Sequence, residues 1–166
     1  MKKLFMILPL VFLLCFTFSC QKGEEVAEEP AVNVEADIAA IKTLINQVER
    51  AFNEGDLDAY MSTVADDAVV LEPNEPAIIG KEAIRDWYGF IESMSFDMKI
   101  FIDEIEVSGD WAFHRSNWKG SWTEEDSGQK TEIESKDIGI LKRQPDGSWK
   151  TTHTIFNFTS RKTSDI

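Results

Sequence analysis

Apolar residues first set a helical rhythm. Ile38, Ile41, Ile45, Val48 and Phe52 recur at three- and four-residue steps, which places them on one face of a helix. Gly55, after Asn53-Glu54, suits a left-handed stop. Asp56 can then cap a second short helix that turns Leu57, Tyr60, Met61 and Val64 inward. Asp66-Asp67 reads as a turn, and Ala68 to Leu71 as a short strand ended by Pro73, which cannot donate within a sheet. Gly80 precedes a third helix with Ala83, Ile84, Trp87, Tyr88 and Ile91 on one side.

After Phe96 the period drops to two. Phe96, Met98, Ile100 and Ile102 are even-numbered, but beyond Asp103-Glu104 the apolar residues are odd, Ile105 and Val107. A change of parity within a strand implies a β-bulge or a sharp bend. Further strands are expected over 111–122, 131–143 and 149–159, with a loop at 124–128 and a hairpin turn at Pro145-Asp146-Gly147. The order predicts an α+β domain: three N-terminal helices packed on a curved antiparallel sheet.

Composition adds an address. Met1-Lys2-Lys3 leads into an apolar run over 4–18 and then Ser19-Cys20, the order of a secretory signal. The run is short for a membrane span, which needs roughly 20 apolar residues. Thr17-Phe18-Ser19-Cys20 resembles the bacterial lipobox, with Ser19 and Cys20 fitting it and Thr17 and Phe18 departing from it. The resemblance implies a signal peptide over 1–19, lipidation at Cys20 and residence in the bacterial cell envelope, at the outer membrane or cell surface. Residues 20–35 carry Glu24, Glu25, Glu28, Glu29 and Glu35 around Pro30 and read as an acidic disordered tether. The domain is expected over 36–160 and a C-terminal tail over 161–166.

The formal net charge is −13. Removing Lys2 and Lys3 from the 17 basic residues leaves 15 against 30 acidic ones. Such acidity repels phosphate backbones, so no nucleic-acid partner is expected. The only cysteines are Cys15 and Cys20, which leaves the domain without a disulfide, a thiolate nucleophile or a cysteine metal ligand. With two histidines and no His-x-x-x-His pair, no metal site is expected, and no fingerprint of a bound cofactor is present.

Three segments carry a resemblance: Ala51-Phe52-Asn53-Glu54-Gly55-Asp56-Leu57-Asp58-Ala59, Ala65-Asp66-Asp67-Ala68-Val69-Val70-Leu71-Glu72-Pro73 and Gly80-Lys81-Glu82-Ala83-Ile84-Arg85-Asp86-Trp87-Tyr88. With Gly109-Asp110-Trp111-Ala112 and Asp146-Gly147-Ser148-Trp149-Lys150, they resemble the nuclear-transport-factor-2-like superfamily, in its SnoaL-like and ketosteroid-isomerase-like branch. The resemblance covers nearly all of residues 37–159. It implies a cone-like barrel with a pocket between sheet and helices, a small-molecule ligand and a homodimer formed through the sheet. It does not imply a reaction, because the fold hosts enzymes and binding domains alike.

Residue by residue, the resemblance places a general base at Glu72, just before Pro73. It places the oxyanion tyrosine of steroid isomerases at Val48, which cannot donate a hydrogen bond, and losing one such donor costs about 10²–10³ in rate. A second donor falls at Asp137, or at Gly139 when counted back from Gly147. Glu72 can relay a proton or be a surface carboxylate at a strand end. His153 is a further acid–base candidate, and which face of its strand lines the pocket stays open. Trp87, Tyr88, Phe113, Arg115 and Asn117 are candidate pocket residues. An inward Arg115 would need an anionic partner; a guanidinium at the sheet rim is the alternative.

Overall fold

The computed structural model describes residues 33–164. The expected signal, Cys20 and most of the tether lie outside the described residues. Helix α1 spans Val34–Glu54, with the Asn33 side chain accepting from the Ala36 N–H at its start. Val34 and Glu35 are thus helical rather than tether. Gly55 ends α1 at φ 68°, and the amides of Gly55 and Asp56 close on the carbonyls of Phe52 and Ala51. Helix α2, Leu57–Ser62, starts on the Asp56 carboxylate, which accepts from the Ala59 N–H.

Strand β1 spans Val64–Leu71 and absorbs Asp66-Asp67, which the sequence places in a turn. Its register slips between Val64 and Val69, and the two aspartates face solvent in that slip. A two-residue strand β2, Ile78–Ile79, leads to helix α3, Lys81–Trp87. The third helix then tightens to a 3₁₀ turn over Tyr88–Ser93 that buries Tyr88 and Ile91.

Four long strands follow: β3 Met94–Ser108, β4 Trp111–Glu124, β5 Lys130–Arg143 and β6 Trp149–Ser164. The sheet order is β2-β1-β6-β5-β4-β3. Every pairing is antiparallel except β1 with β6, which is parallel, so the sheet is mixed at that joint. The parity change in β3 is a bulge at Asp103, since Ile102 pairs with Ser116 and Glu104 with Arg115. The expected 161–166 tail is strand as far as Ser164, because β6 keeps pairing with β5 down to Lys130.

The sheet curls around α1. At Gly120 φ is 150°, and a Cβ there would stand 2.0 Å from the Asp97 carbonyl oxygen, so only glycine lets β4 come this close to β3. Strand β3 is the outer edge, and α1 covers it. Asn53 donates to the Met98 carbonyl and accepts from its N–H, each at 2.8 Å. Glu49 accepts from the Ile100 N–H, also at 2.8 Å. Two side chains of one helix thereby satisfy edge amides that would otherwise offer themselves to another strand. The core lies between the helices and the concave face, around Phe52, Met61, Ile84 and Ile91 at one end and Ile41, Ile45 and Leu141 at the other.

Candidate functional site

A cavity of about 600 Å³ opens in that concave face. Helix α1 gives it Val48 and Phe52, α2 gives Tyr60, and the 3₁₀ turn gives Tyr88 and Phe90. The sheet gives Trp118 and Trp122 from β4, Ile133 from β5, and Phe156 and Phe158 from β6. Phe52 packs edge-on against Tyr60, Tyr88, Phe96 and Trp118, with ring centroids 5.3–6.1 Å apart. Rings held in that geometry make a stiff apolar wall.

Polar groups meet the wall at two places. On the helical side, Glu72 is half-buried and its Oε1 accepts from the Tyr88 hydroxyl at 2.6 Å. Burial pushes the Glu72 carboxyl above the usual range, against the pull of the Tyr88 hydrogen bond. Burial likewise raises Tyr60 and Tyr88, so both phenols keep their protons. Glu72 therefore faces the cavity rather than the open surface.

On the sheet, Asp137 is buried, and its Oδ1 accepts from the Ser116 hydroxyl at 2.5 Å. His114 Nδ1 lies 3.8 Å from Asp137 Oδ2. That is too long for a hydrogen bond, and Nδ1 has no other partner among the described residues. Burial pushes Asp137 up to about 6 and His114 down to about 4. Near neutral pH the pair is thus an aspartate beside an uncharged imidazole. With the imidazole uncharged, the 3.8 Å contact is not an ion pair.

Strand β4 presents its even residues to the cavity. His114, Ser116 and Trp118 line it, while Phe113 and Arg115 face out. The expectation that Phe113, Arg115 and Asn117 point inward is corrected. Arg115 Nη1 donates to Asp103 at 2.6 Å, its Nε donates to Glu104 at 3.3 Å, and Asn117 donates to Asp103 at 2.6 Å. The bulge at Asp103 sets two successive carboxylates beside Arg115, so the anionic partner it needs lies on the convex face.

His153 is also on the convex face, exposed, across from Ile140. It lies outside the cavity lining, and among the described residues its ring nitrogen contacts only the Thr152 hydroxyl. Strand β6 changes face twice. Leu141 pairs with Thr151 and Ile140 with His153, which leaves Thr152 unpaired. Ser135 pairs with Phe158 and Glu134 with Ser160, which leaves Thr159 unpaired. Neither parity class of β6 lines the cavity along its whole length, which is why alternation could not decide between them.

Of the expected site residues, the structure brings Glu72, Trp87, Tyr88 and Asp137 to the cavity. It adds His114, Ser116, Tyr60 and Arg161. His114 was legible only through the register of β4, which places it against Gly139, two residues from Asp137. Among the described residues, no group of three or more His, Cys, Asp and Glu side chains could hold a metal ion.

The sequence model of the SnoaL-like domain matches residues 45–152. The fold is similar to that of the ketosteroid isomerase-like protein from Erwinia carotovora atroseptica, with 32% identity, a TM-score of 0.68, and coverage of 75% of this chain and 97% of that one. It is also similar to hexachlorocyclohexane dehydrochlorinase LinA-type3 from Novosphingobium barchaimii, with 18% identity, a TM-score of 0.67, and coverage of 79% and 92%. A nuclear transport factor 2-like superfamily protein from Salmonella enterica matches at 16% identity and a TM-score of 0.65, over 76% and 94%. The search of curated proteins finds no match.

Proposed function

The chain belongs to the SnoaL-like domain family, and from that premise we propose that its cavity binds a small, largely apolar molecule. The observation that carries this reading is the cavity itself: about 600 Å³, walled by rigid aromatic side chains, with a few polar groups at two points. That is the usual make-up of a small-molecule site. Asp137, steadied by Ser116, is the group best placed to meet a polar atom of the ligand. Titration of the full chain with N-phenyl-1-naphthylamine, a neutral apolar fluorophore, tests the reading. One probe per chain should bind, and Ser135→Phe, which puts a ring into the cavity, should abolish binding while circular dichroism stays unchanged. Undiminished binding to that variant would place the site elsewhere.

A second reading is favoured by the two raised carboxyls. Asp137 at about 6 exchanges its proton close to neutral pH, and Glu72 sits across the cavity with Tyr88 as donor. Such groups suit general acid–base work. The dehydrochlorinase with the same fold is an enzyme by its own name; at 18% identity its likeness supports the fold alone. At Val48 no hydroxyl is present to stabilise an oxyanion, which argues against steroid isomerisation. Deuterium uptake into 2-tetralone from heavy water, lost in Asp137→Asn with probe binding kept, would favour proton transfer; no uptake leaves binding alone.

Two further readings concern surroundings. The sequence over residues 1–20 supports lipidation at Cys20, and Cys20→Ser should then move the protein from the membrane fraction to the soluble one. The convex face supports a homodimer. Phe113 pairs with Ile140, and Ile138 with Ile155, so four half-exposed apolar residues form one patch beside Arg115 and its carboxylates. An exposed apolar patch on the sheet is the kind of surface a two-fold interface covers with its own copy.

A further inference from the structure

We propose that Arg161 recognises an anionic group on the cavity's ligand, and that the ligand is a carboxylate with a flat apolar body. This rests on the cavity reading above. Without the extra residue Thr159, the alternation of Thr154, Phe156 and Phe158 would send Arg161 to the convex face with His153 and Ile155. The bulge reverses that parity. Arg161 now pairs with Ile133 and Thr163 with Thr131, and Ile133 and Thr131 are buried on the concave side. Arg161 lines the cavity as a result. Bulges that re-aim one side chain recur beside functional sites.

The guanidinium is held by cation–π contacts rather than by an ion pair among the described residues. Its central carbon lies 5.1 Å from the Trp122 ring centroid and 5.6 Å from that of Phe158, and both rings line the cavity. Arg85, Arg115 and Arg143 each meet at least one carboxylate, while Arg50, exposed on α1 and away from the cavity lining, meets none among the described residues. Arg161 meets none within 4.0 Å among the described residues, in a chain with 30 acidic side chains against 17 basic ones. Glu124 also lines the cavity, and its carboxylate takes the Ser127 hydroxyl instead. A guanidinium held by cation–π contacts, with no carboxylate partner among the described residues, has N–H groups to offer, and its fork fits a carboxylate with two parallel hydrogen bonds. The rings beneath it fit a flat apolar body.

A pair of probes of one shape tests this: 2-naphthoate and 2-naphthamide, titrated into the full chain by quenching of tryptophan fluorescence. Wild type should prefer naphthoate by about tenfold, the scale of a charge-assisted pair at a half-open site. Arg161→Met keeps the stem over Trp122 and removes the charge. It should lose that preference through weaker naphthoate binding, with naphthamide unchanged, and Arg161→Lys should recover part of it. Raising salt should weaken naphthoate only. Equal binding of the two probes to wild type, or an unchanged preference in Arg161→Met, would overturn the role of Arg161 and leave the cavity reading intact. If neither probe binds wild type, the cavity reading falls and this proposal falls with it.

Discussion

His114 and Gly139 face each other across β4 and β5, and a Cβ on Gly139 would stand 2.3 Å from His114 Nε2. The imidazole lies over the glycine, in space that any side chain would fill. Since His114 is 8% exposed, it has little room to swing away. Gly139→Ala should therefore destabilise the fold by about 1–3 kcal/mol, as overpacking does. Urea unfolding measures it. The same substitution in a His114→Ala background should cost far less, and the difference is the coupling between the two positions. Equal costs in both backgrounds would mean that the imidazole is not what the new methyl meets.

The pair His114 and Asp137 carries two opposite pH dependences. Burial lowers His114 from 6.5 to about 4, so its contribution is present above pH 6.5 and is lost as pH falls toward 4. Burial raises Asp137 from 3.8 to about 6, so its contribution is present below pH 3.8 and is lost as pH rises through 6. Each shift is worth on the order of 3 kcal/mol, and between pH 4 and 6 the two slopes nearly cancel. Replacing one partner should expose the other. Relative to wild type, Asp137→Asn should become progressively less stable as pH falls from about 6 to 4. His114→Gln should become relatively more stable as pH falls from 6.5 to about 4. Urea unfolding at half-unit pH steps checks both, and parallel curves for all three proteins would contradict the assignment.

The sequence showed the helices and the bulge at Asp103 because there one face is apolar and the other is not. Ile41 and Ile45 against Lys42 and Asn46 leave no choice of face, and the shift from Ile102 to Ile105 leaves no choice of parity. Strand β4 is different. Trp111 and Phe113 face out and Trp118 and Trp122 face in, so both faces carry large apolar groups and alternation cannot rank them. The inward face there is marked by small and polar residues, Ala112, His114 and Ser116, which a hydrophobic pattern passes over. Glu72 was legible only through the family resemblance, which sets a base just before Pro73. Arg161 was not, because a bulge at a threonine changes no apolar pattern. Its reversal of face is set by the pairing of β6 with β5, a property of two strands together.

Asp37 ties the start of α1 to the last hairpin. Arg143 Nη1 and Nη2 donate to its two oxygens at 2.7 and 2.6 Å, Trp149 Nε1 donates at 3.3 Å, and the guanidinium lies 4.5 Å from the Trp149 ring centroid. The fork is bidentate, with Asp37 buried and Arg143 part-buried, unlike an ordinary surface pair. Asp37→Asn keeps the shape but cannot answer both N–H groups, so it should cost about 2 kcal/mol. Arg143→Lys should cost a similar amount, since an ammonium neither forks nor stacks. The loss should survive 0.5 M salt, whereas loss of the exposed Arg85–Asp58 pair should be negligible throughout. A salt-sensitive or near-zero effect of Asp37→Asn would reduce the clamp to a surface contact.

Ile138 is 44% exposed and Ile155 is 44% exposed, and the two are cross-strand neighbours at the middle of the sheet's convex face. In a monomer, glutamate at either position would be close to neutral for stability, because the side chains already meet water. In a dimer closed on this face, each site occurs twice about the two-fold axis, and two new carboxylates would be buried against apolar neighbours. Ile138→Glu should then shift sedimentation from dimer to monomer while the circular dichroism spectrum is kept. Lys142→Ala, at the far end of β5, should leave the dimer intact. Wild type sedimenting as a monomer at 0.1 mM would show that no second copy covers this face.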